Sequence, residues 1–280
     1  MKTTPIAKIN LGLNVVERRP DGYHNLETVF FPVHINDELT LNPMPDATEP
    51  WSLKVISDTP IDCPPEKNLV IKALLMVKEN HDIPPVEVIL NKMMPSQAGM
   101  GGGSSDGAYM IRLLNESFSL GMSISEMQQI AARLGADCAF FINPVPSYAT
   151  GIGEKLTVLP EGIPQLEGKW LALVKPDVAV STKEAYAGIH PHYPQKNCLD
   201  VISQPIETWR EYLVNDFEES IFKTLPVLAE VKQQLYDNGA LYAAMSGSGS
   251  TIFGIFENKP DFITIRYASI YNRIIKISQK

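Results

Sequence analysis

The chain has 280 residues, of which 44% are hydrophobic and 20% are charged, a composition ordinary for a globular protein of one large or two modest domains. Its formal charge of -8 argues against general nucleic-acid binding, which needs clustered lysines and arginines. The 3 cysteines include no Cys-x-x-Cys pair, so we expect neither a disulfide framework nor a zinc site, and a reducing cytoplasm fits best. No apolar run is long enough to span a bilayer, so we expect no membrane span.

The first predicted element is a strand over residues 6–15. Its apolar residues alternate strictly, and a period of two places Lys8, Asn10, Gly12 and Asn14 together on the opposite face. A solvated outer face is the common position of a strand lysine. A cation beside amides also suits a polar ligand, so the pattern alone leaves both interpretations of Lys8 open.

A turn with the sequence Arg-Pro-Asp-Gly follows at residues 19–22 and leads directly into Tyr23 and His24. These rings either pack at the edge of the core or stack on and hydrogen-bond a planar ligand. The sequence does not separate the two options. Further strands are predicted near residues 27–33 and 38–41, and a helix near residues 69–79.

A glycine-rich loop at residues 95–106 separates a predicted strand at 86–90 from a helix predicted from Ser105 onward. Glycine allows close backbone approach, and the N–H groups and dipole of a helix N-terminus stabilise an anion, so this position indicates a phosphate site. A flexible linker is the alternative, but linkers seldom sit between a strand and a patterned helix. The loop fits neither a Walker A motif nor a dinucleotide fingerprint.

Asp137 is the candidate acidic group. A capping box at Ser123 and an apolar stripe predict a helix that Gly135 closes, which places Asp137 just past the helix and before an apolar run at residues 138–142. One interpretation is that Asp137 caps the next turn. The other is a carboxylate kept ionised by a nearby cation such as Lys8 and suited to accept a hydroxyl proton.

The second half of the chain predicts a strand near residues 170–174, helices near 182–188, 207–222 and 227–238, and strands around a second small-residue loop at 246–250. A helix and a strand are expected over residues 261–278, without a chemical group that points to function. Proline-rich stretches at 144–146 and 160–164 flank a plausible domain junction. Strands and helices mix without regular βαβ alternation, which favours an α+β fold over a doubly wound sheet.

Several of these segments together resemble the GHMP kinases, the superfamily of galactokinase and of the homoserine, mevalonate and phosphomevalonate kinases. They are Ala-Lys-Ile-Asn-Leu-Gly-Leu at 7–13, Arg-Pro-Asp-Gly-Tyr-His at 19–24, the glycine loop, Gly-Ala-Asp at 135–137 and Met-Ser-Gly-Ser-Gly-Ser at 245–250. The two small-residue loops are shared across the superfamily. The stretch at 19–24, directly after the Lys8 strand, is far more specific to its diphosphocytidyl-methylerythritol branch.

The resemblance implies roles for individual residues. Lys8 and Asp137 match the catalytic pair, with Asp137 as general base and Lys8 lowering the pKa of the acceptor hydroxyl or steadying the developing charge. Tyr23 and Tyr186 match the aromatic pair that sandwiches cytosine, His24 the residue that pairs with its edge, and Asn10 and Thr182 further substrate contacts. The implied ATP-binding residues are Pro95, Ala98, Gly99, Met100, Gly101, Gly102, Gly103, Ser104 and Ser105 at the phosphates, with Asn68 and Lys92 at the adenosine end.

The resemblance also implies the fold and the reaction. The fold is a two-domain α+β GHMP kinase fold with the active site in the inter-domain cleft, for which we expect an ATP-binding domain at 1–155 and a substrate-side domain at 156–280. The reaction uses ATP to phosphorylate a small molecule that carries a cytidine diphosphate group. Mg²⁺ is expected to bind largely through the nucleotide phosphates, with Ser104 or Ser105 as a further ligand; no dedicated metal ligand, oligomeric state, nucleic-acid partner or membrane partner is predicted.

Three positions depart from the family pattern. Met100 replaces a customary Leu, Gly107 a more usual Ala, and Cys138-Ala139 an aliphatic-Pro pair. We expect Gly107 to cost the helix up to about 1 kcal/mol and loosen the loop. The alternatives to the branch assignment are another GHMP kinase and a non-catalytic nucleotide-binding protein on the same fold; the presence of both Lys8 and Asp137 speaks against the second.

Overall fold

The computed structural model describes residues 1–58, 63–260 and 269–278. The strands, in chain order, are β1 Lys2–Thr3, β2 Ile6–Arg18, β3 His24–Asn36, β4 Glu38–Pro43, β5 Trp51–Ser57, β6 Val86–Lys92, β7 Ser147–Thr150, β8 Lys155–Val158, β9 Trp170–Pro176, β10 Tyr242–Met245, β11 Ile252–Phe256 and β12 Ser269–Lys276. The helices are α1 Leu69–Lys78, α2 Gly102–Ser117, α3 Ile124–Leu134, α4 Cys138–Ile142, α5 Thr182–Ala187, α6 Cys198–Ile202, α7 Trp209–Tyr212, α8 Phe217–Thr224 and α9 Pro226–Asp237.

The chain forms two compact units. The first comprises Met1–Lys8, Pro32–Ser96 and Gly101–Pro144, and the second Ile9–Phe31, Gln97–Met100 and Val145–Lys280. The first unit holds the sheet β1-β4-β6-β5 and helices α1 to α4. The second holds the sheet β10-β11-β9-β12, most of the sheet β2-β3-β7-β8, and helices α5 to α9. Within the described residues, no helix is long and apolar enough to cross a membrane.

Most predicted elements are confirmed within a few residues, and the mixed α+β class is confirmed with them. The structure adds four strands that were not predicted, β1, β5, β7 and β8. β5 pairs in parallel with β6 from Trp51 opposite Val86 to Ser57 opposite Lys92. Of the two elements expected over residues 261–278, the strand is β12, and the helix falls on residues outside the described part of the chain.

The prediction of one helix over residues 207–222 was wrong. α7 ends at Tyr212 and α8 begins at Phe217, and the residues between them pair with β2. The Leu13 N–H donates to the Val214 carbonyl at 2.8 Å, and the Asp216 N–H donates to the Leu13 carbonyl at 2.9 Å. Because these backbone groups bond to a strand, the chain is not helical there despite its helical sequence pattern.

The expected single polar face of the first strand was also wrong. The Asn10 side chain donates to the Thr28 hydroxyl at 3.0 Å, whereas the Asn14 side chain donates to the Glu27 carboxylate at 2.7 Å. Glu27 and Thr28 are consecutive in β3 and face opposite ways, so Asn10 and Asn14 do as well. Gly12 lies between them with a φ of 67°, typical of the glycine in a β-bulge, and the alternation changes phase there.

The polar residues of β2 are also not solvated. Lys8 and Asn10 are each 3% exposed and Asn14 is 1% exposed, so the interpretation of a solvated outer face is excluded. Buried polar side chains need partners. Lys8 accordingly pairs with Asp137 in the first unit, and Asn10 and Asn14 bond to Thr28 and Glu27 in the second.

Gly107 allows α1 and α2 to pack closely. A methyl group at this position would lie 3.2 Å from Cβ and 3.3 Å from the carbonyl oxygen of Leu69, tighter than ordinary packing. The expectation that Gly107 costs helix stability and loosens the loop stays a prediction, and the structure adds that the glycine makes room for α1. This contact fixes α2 in the first unit, and α2 begins at the phosphate loop.

Candidate active site

In the first unit, the predicted catalytic residues lie together. Lys8 Nζ is 3.3 Å from Asp137 Oδ2, and the two side chains are 4% and 33% exposed. Asp137 precedes α4 at its N-cap position, but its side chain makes no capping hydrogen bond. The capping interpretation is therefore right about position and wrong about the bond. A buried ammonium group thus pairs with a carboxylate that is partly accessible to solvent.

The start of α2 adjoins this pair. Gly101 is the N-cap of α2, and a methyl group there would lie 3.3 Å from Lys8 Cε. The first helical hydrogen bond runs from the Ser105 N–H to the Gly101 carbonyl at 2.8 Å, so the preceding N–H groups have no acceptor within the helix. Such donors and the helix dipole are the features that bind anions at helix N-termini, and phosphate binding here stays a prediction. The helix includes Gly102, so the loop ends earlier than predicted.

Ser105 and Ser104 differ in their surroundings. Ser105 is fully buried, and its Oγ has no hydrogen-bond partner in the described part of the chain. Ser104 bonds to the Cys138 thiol, whose pKa is raised by burial to about 12, so this thiol stays protonated and uncharged. Cys138 and Ala139 are buried in α4, which forms without the proline common at position 139 in the family.

The earlier part of the glycine loop belongs to the second unit. Gly99 has a φ of 70°, and its carbonyl accepts a hydrogen bond from the Ser246 hydroxyl at 2.9 Å. The Ala98 carbonyl accepts from the Thr251 N–H at 3.3 Å, and Ala98 and Met100 are 4% and 1% exposed. The loop is therefore held against the small-residue turn that follows β10. Pro95 lies before this segment, in the loop of the first unit that follows β6.

Lys92 and Asn68, predicted at the adenosine end, both have partners within the first unit. Lys92 Nζ pairs with Asp37 and, at 2.7 Å, with Asp106, and its side chain is 7% exposed. Asn68 caps α1 by accepting the Val70 N–H at 3.1 Å. These contacts account for both residues structurally, and their contact with adenosine stays a prediction.

The carboxylates around Lys92 were not predicted from the sequence. Asp37 accepts the N–H groups of Met93 and Met94 at 2.6 and 2.8 Å, which fixes the exit of β6. Asp106 lies in the first turns of α2, and burial raises its pKa to about 8, with Lys92 opposing the shift. Desolvation makes the charged form costly here. The group of Asp37, Lys92 and Asp106 thus ties the end of β6 to the start of α2.

Asn10 has a defined position in the second unit. Its backbone N–H donates to the Ser246 hydroxyl at 3.3 Å, and its side chain donates to Thr28. Because the Ser246 hydroxyl also donates to Gly99, one buried hydroxyl connects a predicted substrate contact to the predicted phosphate loop.

The rings predicted to hold cytosine also lie in the second unit. His24 stacks on Tyr186 with ring centroids 4.9 Å apart and planes 18° apart, and Tyr186 meets Phe217 edge-on. Tyr23 is 61% exposed. Burial, assisted by Arg18, lowers the pKa of His24, so its ring is neutral at pH 7 with one donor and one acceptor. The Thr182 hydroxyl lies 3.4 Å from the Ser248 hydroxyl.

The chain matches two parts of one known family. Residues 68–144 match the GHMP kinases N terminal domain, and residues 200–268 match the GHMP kinases C terminal. A 4-diphosphocytidyl-2-C-methyl-D-erythritol kinase of Bacteroides thetaiotaomicron is 49% identical over 257 residues, which is 92% of each chain. A kinase of the same name from Cytophaga hutchinsonii is 44% identical, over 93% of this chain and 94% of that one.

The chain belongs to the 4-diphosphocytidyl-2-C-methyl-D-erythritol kinase family of GHMP kinases. It is therefore a small-molecule kinase, with ATP as the phosphoryl donor of its family. A crystal structure of a 4-(cytidine 5'-diphospho)-2C-methyl-D-erythritol kinase superposes with a TM-score of 0.75 at 29% identity, over 92% of this kinase and 91% of that chain. The predicted fold class and resemblance are thus confirmed.

No group of three or more metal-binding His, Cys, Asp or Glu side chains occurs among residues 1–58, 63–260 and 269–278 of this kinase. The unpartnered, buried hydroxyl of Ser105 at the start of α2 fits a nucleotide-bound Mg²⁺, because hydroxyl and phosphate oxygens are ligands that this hard cation accepts. The residues present therefore fit a metal that arrives with ATP.

Several residues that fix the predicted site segments within each unit were not predicted from the sequence. Besides Asp37 and Asp106, a segment at 213–218 bonds to the turn at 245–247 in the second unit, chiefly through Asn215. These residues carry no recognisable motif of their own. The one available signal was an Asn-Asp pair inside a predicted helix, since both residues favour helix ends and turns.

Proposed function

We propose that this kinase transfers the γ-phosphoryl group of ATP to the 2-hydroxyl of 4-diphosphocytidyl-2-C-methyl-D-erythritol. The products are the 2-phosphate and ADP, in the non-mevalonate (methylerythritol phosphate) route to isoprenoid precursors. Family membership supports the reaction. The single structural observation that carries the residue assignment is the buried Lys8 ammonium 3.3 Å from the partly exposed Asp137 carboxylate, beside the start of α2.

Asp137 is proposed as the general base. Its carboxylate accepts the proton of the 2-hydroxyl as that oxygen forms a bond to the γ-phosphorus, and the bond from phosphorus to the bridging oxygen of ADP breaks. The Lys8 ammonium pairs with Asp137 at 3.3 Å and is proposed to stabilise negative charge on the attacking oxygen. The side chain of Lys8 is 4% exposed, so little water screens this interaction.

The glycine loop is proposed to bind the phosphates. The N–H groups of Gly102, Gly103 and Ser104 lie at the start of α2, where helix geometry leaves them without helical acceptors. Ser104 or Ser105 would add a ligand to Mg²⁺ held largely by the phosphate oxygens, and the unpartnered Ser105 hydroxyl favours Ser105; the bound ion would neutralise phosphate charge. Asn68 and Lys92 remain the proposed residues at the adenosine end.

The cytidine group is proposed to bind in the second unit. Tyr23 and Tyr186 would stack on the two faces of cytosine, and the neutral His24 ring supplies a donor and an acceptor for its edge. His24 itself stacks on one face of Tyr186 at 4.9 Å, so cytosine would occupy that face only by displacing His24. Asn10 and Thr182 would contact the rest of the substrate. An ATP-binding domain at 1–155, a substrate-side domain at 156–280 and a cytoplasmic location stay predictions.

The experiment is ADP release from MgATP with the cytidylylated substrate by the wild type and by Asp137→Asn. Loss of the base should lower kcat by about 10²- to 10⁴-fold. Glu79→Gln is the matched control, because Glu79 also pairs with a cation, Arg133 at 3.2 Å, but on the surface. Its kcat should stay within twofold of the wild type. An Asp137→Asn enzyme as active as Glu79→Gln would refute the assignment of the base.

A further inference from the structure

In the second unit, residues 213–218 connect β2 to the turn that follows β10. On the β2 side, the backbone of Val214 and Asp216 bonds to Leu13 on both its N–H and its carbonyl. The Asp216 carboxylate also accepts the Val15 N–H at 2.7 Å. The segment is therefore fixed to β2 over three consecutive contacts.

On the other side, Asn215 holds the turn. Its Nδ2 donates to the Met245 carbonyl at 2.7 Å and to the Gly247 carbonyl at 2.8 Å, while its Oδ1 accepts the Phe217 N–H at 3.0 Å. Glu218 adds a bond from the Met245 N–H at 2.7 Å. Asn215 is 4% exposed, so these bonds form away from water, where an unpaired partner is costly.

The two carbonyls that Asn215 binds flank Ser246. Ser246 is fully buried, accepts the Asn10 N–H at 3.3 Å and donates to the Gly99 carbonyl at 2.9 Å. The side chain of Asn215 therefore bonds to the residues on both sides of Ser246. The Ser246 hydroxyl in turn joins Asn10, a predicted substrate contact, to Gly99 of the glycine loop. The hydrogen bonds of the Asn215 side chain go to Met245, Gly247 and Phe217, and not to Asn10 or Gly99.

We propose that Asn215 is a positioning residue for phosphoryl transfer, which acts by fixing the 245–247 turn so that Ser246 holds Gly99 and Asn10 in register. This rests on the proposed function. The chemistry of an amide suits the position, because one side chain supplies two donors to the carbonyls and one acceptor to its own segment. Aspartate lacks the two donors and would bring a negative charge towards both carbonyls.

The test compares Asn215→Ala and Asn215→Asp with Tyr242→Phe. The control removes a buried hydrogen bond to the same segment, from the Tyr242 hydroxyl to the Leu213 carbonyl at 2.7 Å, without changing a bond to the turn. Each variant is assayed well below its melting temperature, with circular dichroism as the measure of folding. The readouts are the Kd for ATP by calorimetry and kcat for ADP release with the cytidylylated substrate.

We expect both Asn215 variants to raise the Kd for ATP about tenfold and to lower kcat about tenfold or more, with Tyr242→Phe within twofold of wild type. Variants of Asn215 that match the control in both readouts would overturn the proposal. A wild type that binds ATP but does not turn over the substrate would refute the proposed function instead, and the ATP Kd would still test Asn215.

Ser246→Ala covers the case in which the Asn215 variants fail to fold. It removes only the hydroxyl between Asn10 and Gly99 and should raise the Kd for ATP to a similar extent. Where both single variants fold, the double variant with Asn215→Ala should lose no more than the more affected single variant, because both act through one contact. Losses that multiply in the double variant, or a Ser246→Ala enzyme with wild-type ATP affinity, would contradict the proposal.

Discussion

Gly99→Ala tests whether the contact between the glycine loop and the turn at 245–247 determines kcat/KM for ATP. Gly99 has a φ of 70°, where an L-residue with a side chain costs roughly 1–2 kcal/mol. The added methyl group would also overlap the Ser246 carbonyl oxygen, lying 2.9 Å from its carbon and 3.1 Å from the Gly249 carbonyl oxygen. Both neighbours are backbone atoms, so the loop itself must move.

Displacement of a binding loop by about 1 Å can cost on the order of 10²-fold in rate. We therefore expect kcat/KM for ATP to fall about 100-fold, which corresponds to about 2.7 kcal/mol. Gly121→Ala is the matched control, because Gly121 has a φ of 71° and nothing within 4 Å of the added methyl group. Both variants place an alanine at a positive φ and so have the same backbone cost, but only in Gly99→Ala does the methyl group overlap neighbouring backbone atoms.

The assay is steady-state ADP release at varied ATP, with melting temperatures recorded for both variants. Gly121→Ala should lose stability and keep kcat/KM within threefold of the wild type. Equal kcat/KM values for the two variants would refute the reasoning, because they would show that the contact with Ser246 does not position the loop.

Three further predictions concern the bulge, a buried carboxylate and the cytosine site. Gly12→Ala should lower the free energy of unfolding in urea by at least 2 kcal/mol, since its methyl group would lie 2.6 Å from Cys198 Sγ at a φ of 67°; wild-type stability would contradict the bulge. Burial raises the pKa of Asp106 to about 8, above its unfolded value of about 3.9, so the native state binds the proton more tightly than the unfolded state. The stability that proton binding at Asp106 contributes is therefore lost as the pH rises from about 4 towards 8. Asp106→Asn should flatten that slope between pH 5 and pH 8.5 in urea unfolding, and an unchanged slope would exclude Asp106 as its source. Tyr23→Ala should raise KM for the cytidylylated substrate about 5- to 150-fold with little change in kcat, whereas Tyr193→Ala, on a ring 77% exposed, should leave KM unchanged; equal effects would argue against stacking on cytosine.

The pairing of Lys8 with Asp137 could be anticipated because each residue stands in a local pattern with few interpretations. A lysine in an alternating strand and a carboxylate before an apolar run both need a partner if they are buried. The start of α2 was similarly accessible, since glycines followed by a periodic apolar pattern mark a helix N-terminus. These features depend on residues close in sequence.

Other features depend on partners far along the chain. The break at residues 213–216 exists because their backbone bonds to Leu13, and no local pattern records that pairing. The change of face between Asn10 and Asn14 accompanies the positive φ of Gly12, a conformation that a glycine permits but does not require. Lys92 is buried between Asp37, at the junction of β3 and β4, and Asp106 in α2, so its surroundings form only when these parts of the first unit pack on β6.

A competition between acceptors tests directly which molecule this kinase phosphorylates. The purified kinase is given MgATP and equal concentrations of 4-diphosphocytidyl-2-C-methyl-D-erythritol, mevalonate, phosphomevalonate and homoserine. Mass spectrometry then identifies the acceptor that gains a phosphoryl group, and phosphorus NMR locates it. We expect phosphorylation of the cytidylylated acceptor alone, at its 2-hydroxyl; phosphorylation of another acceptor in its place would contradict the proposed function.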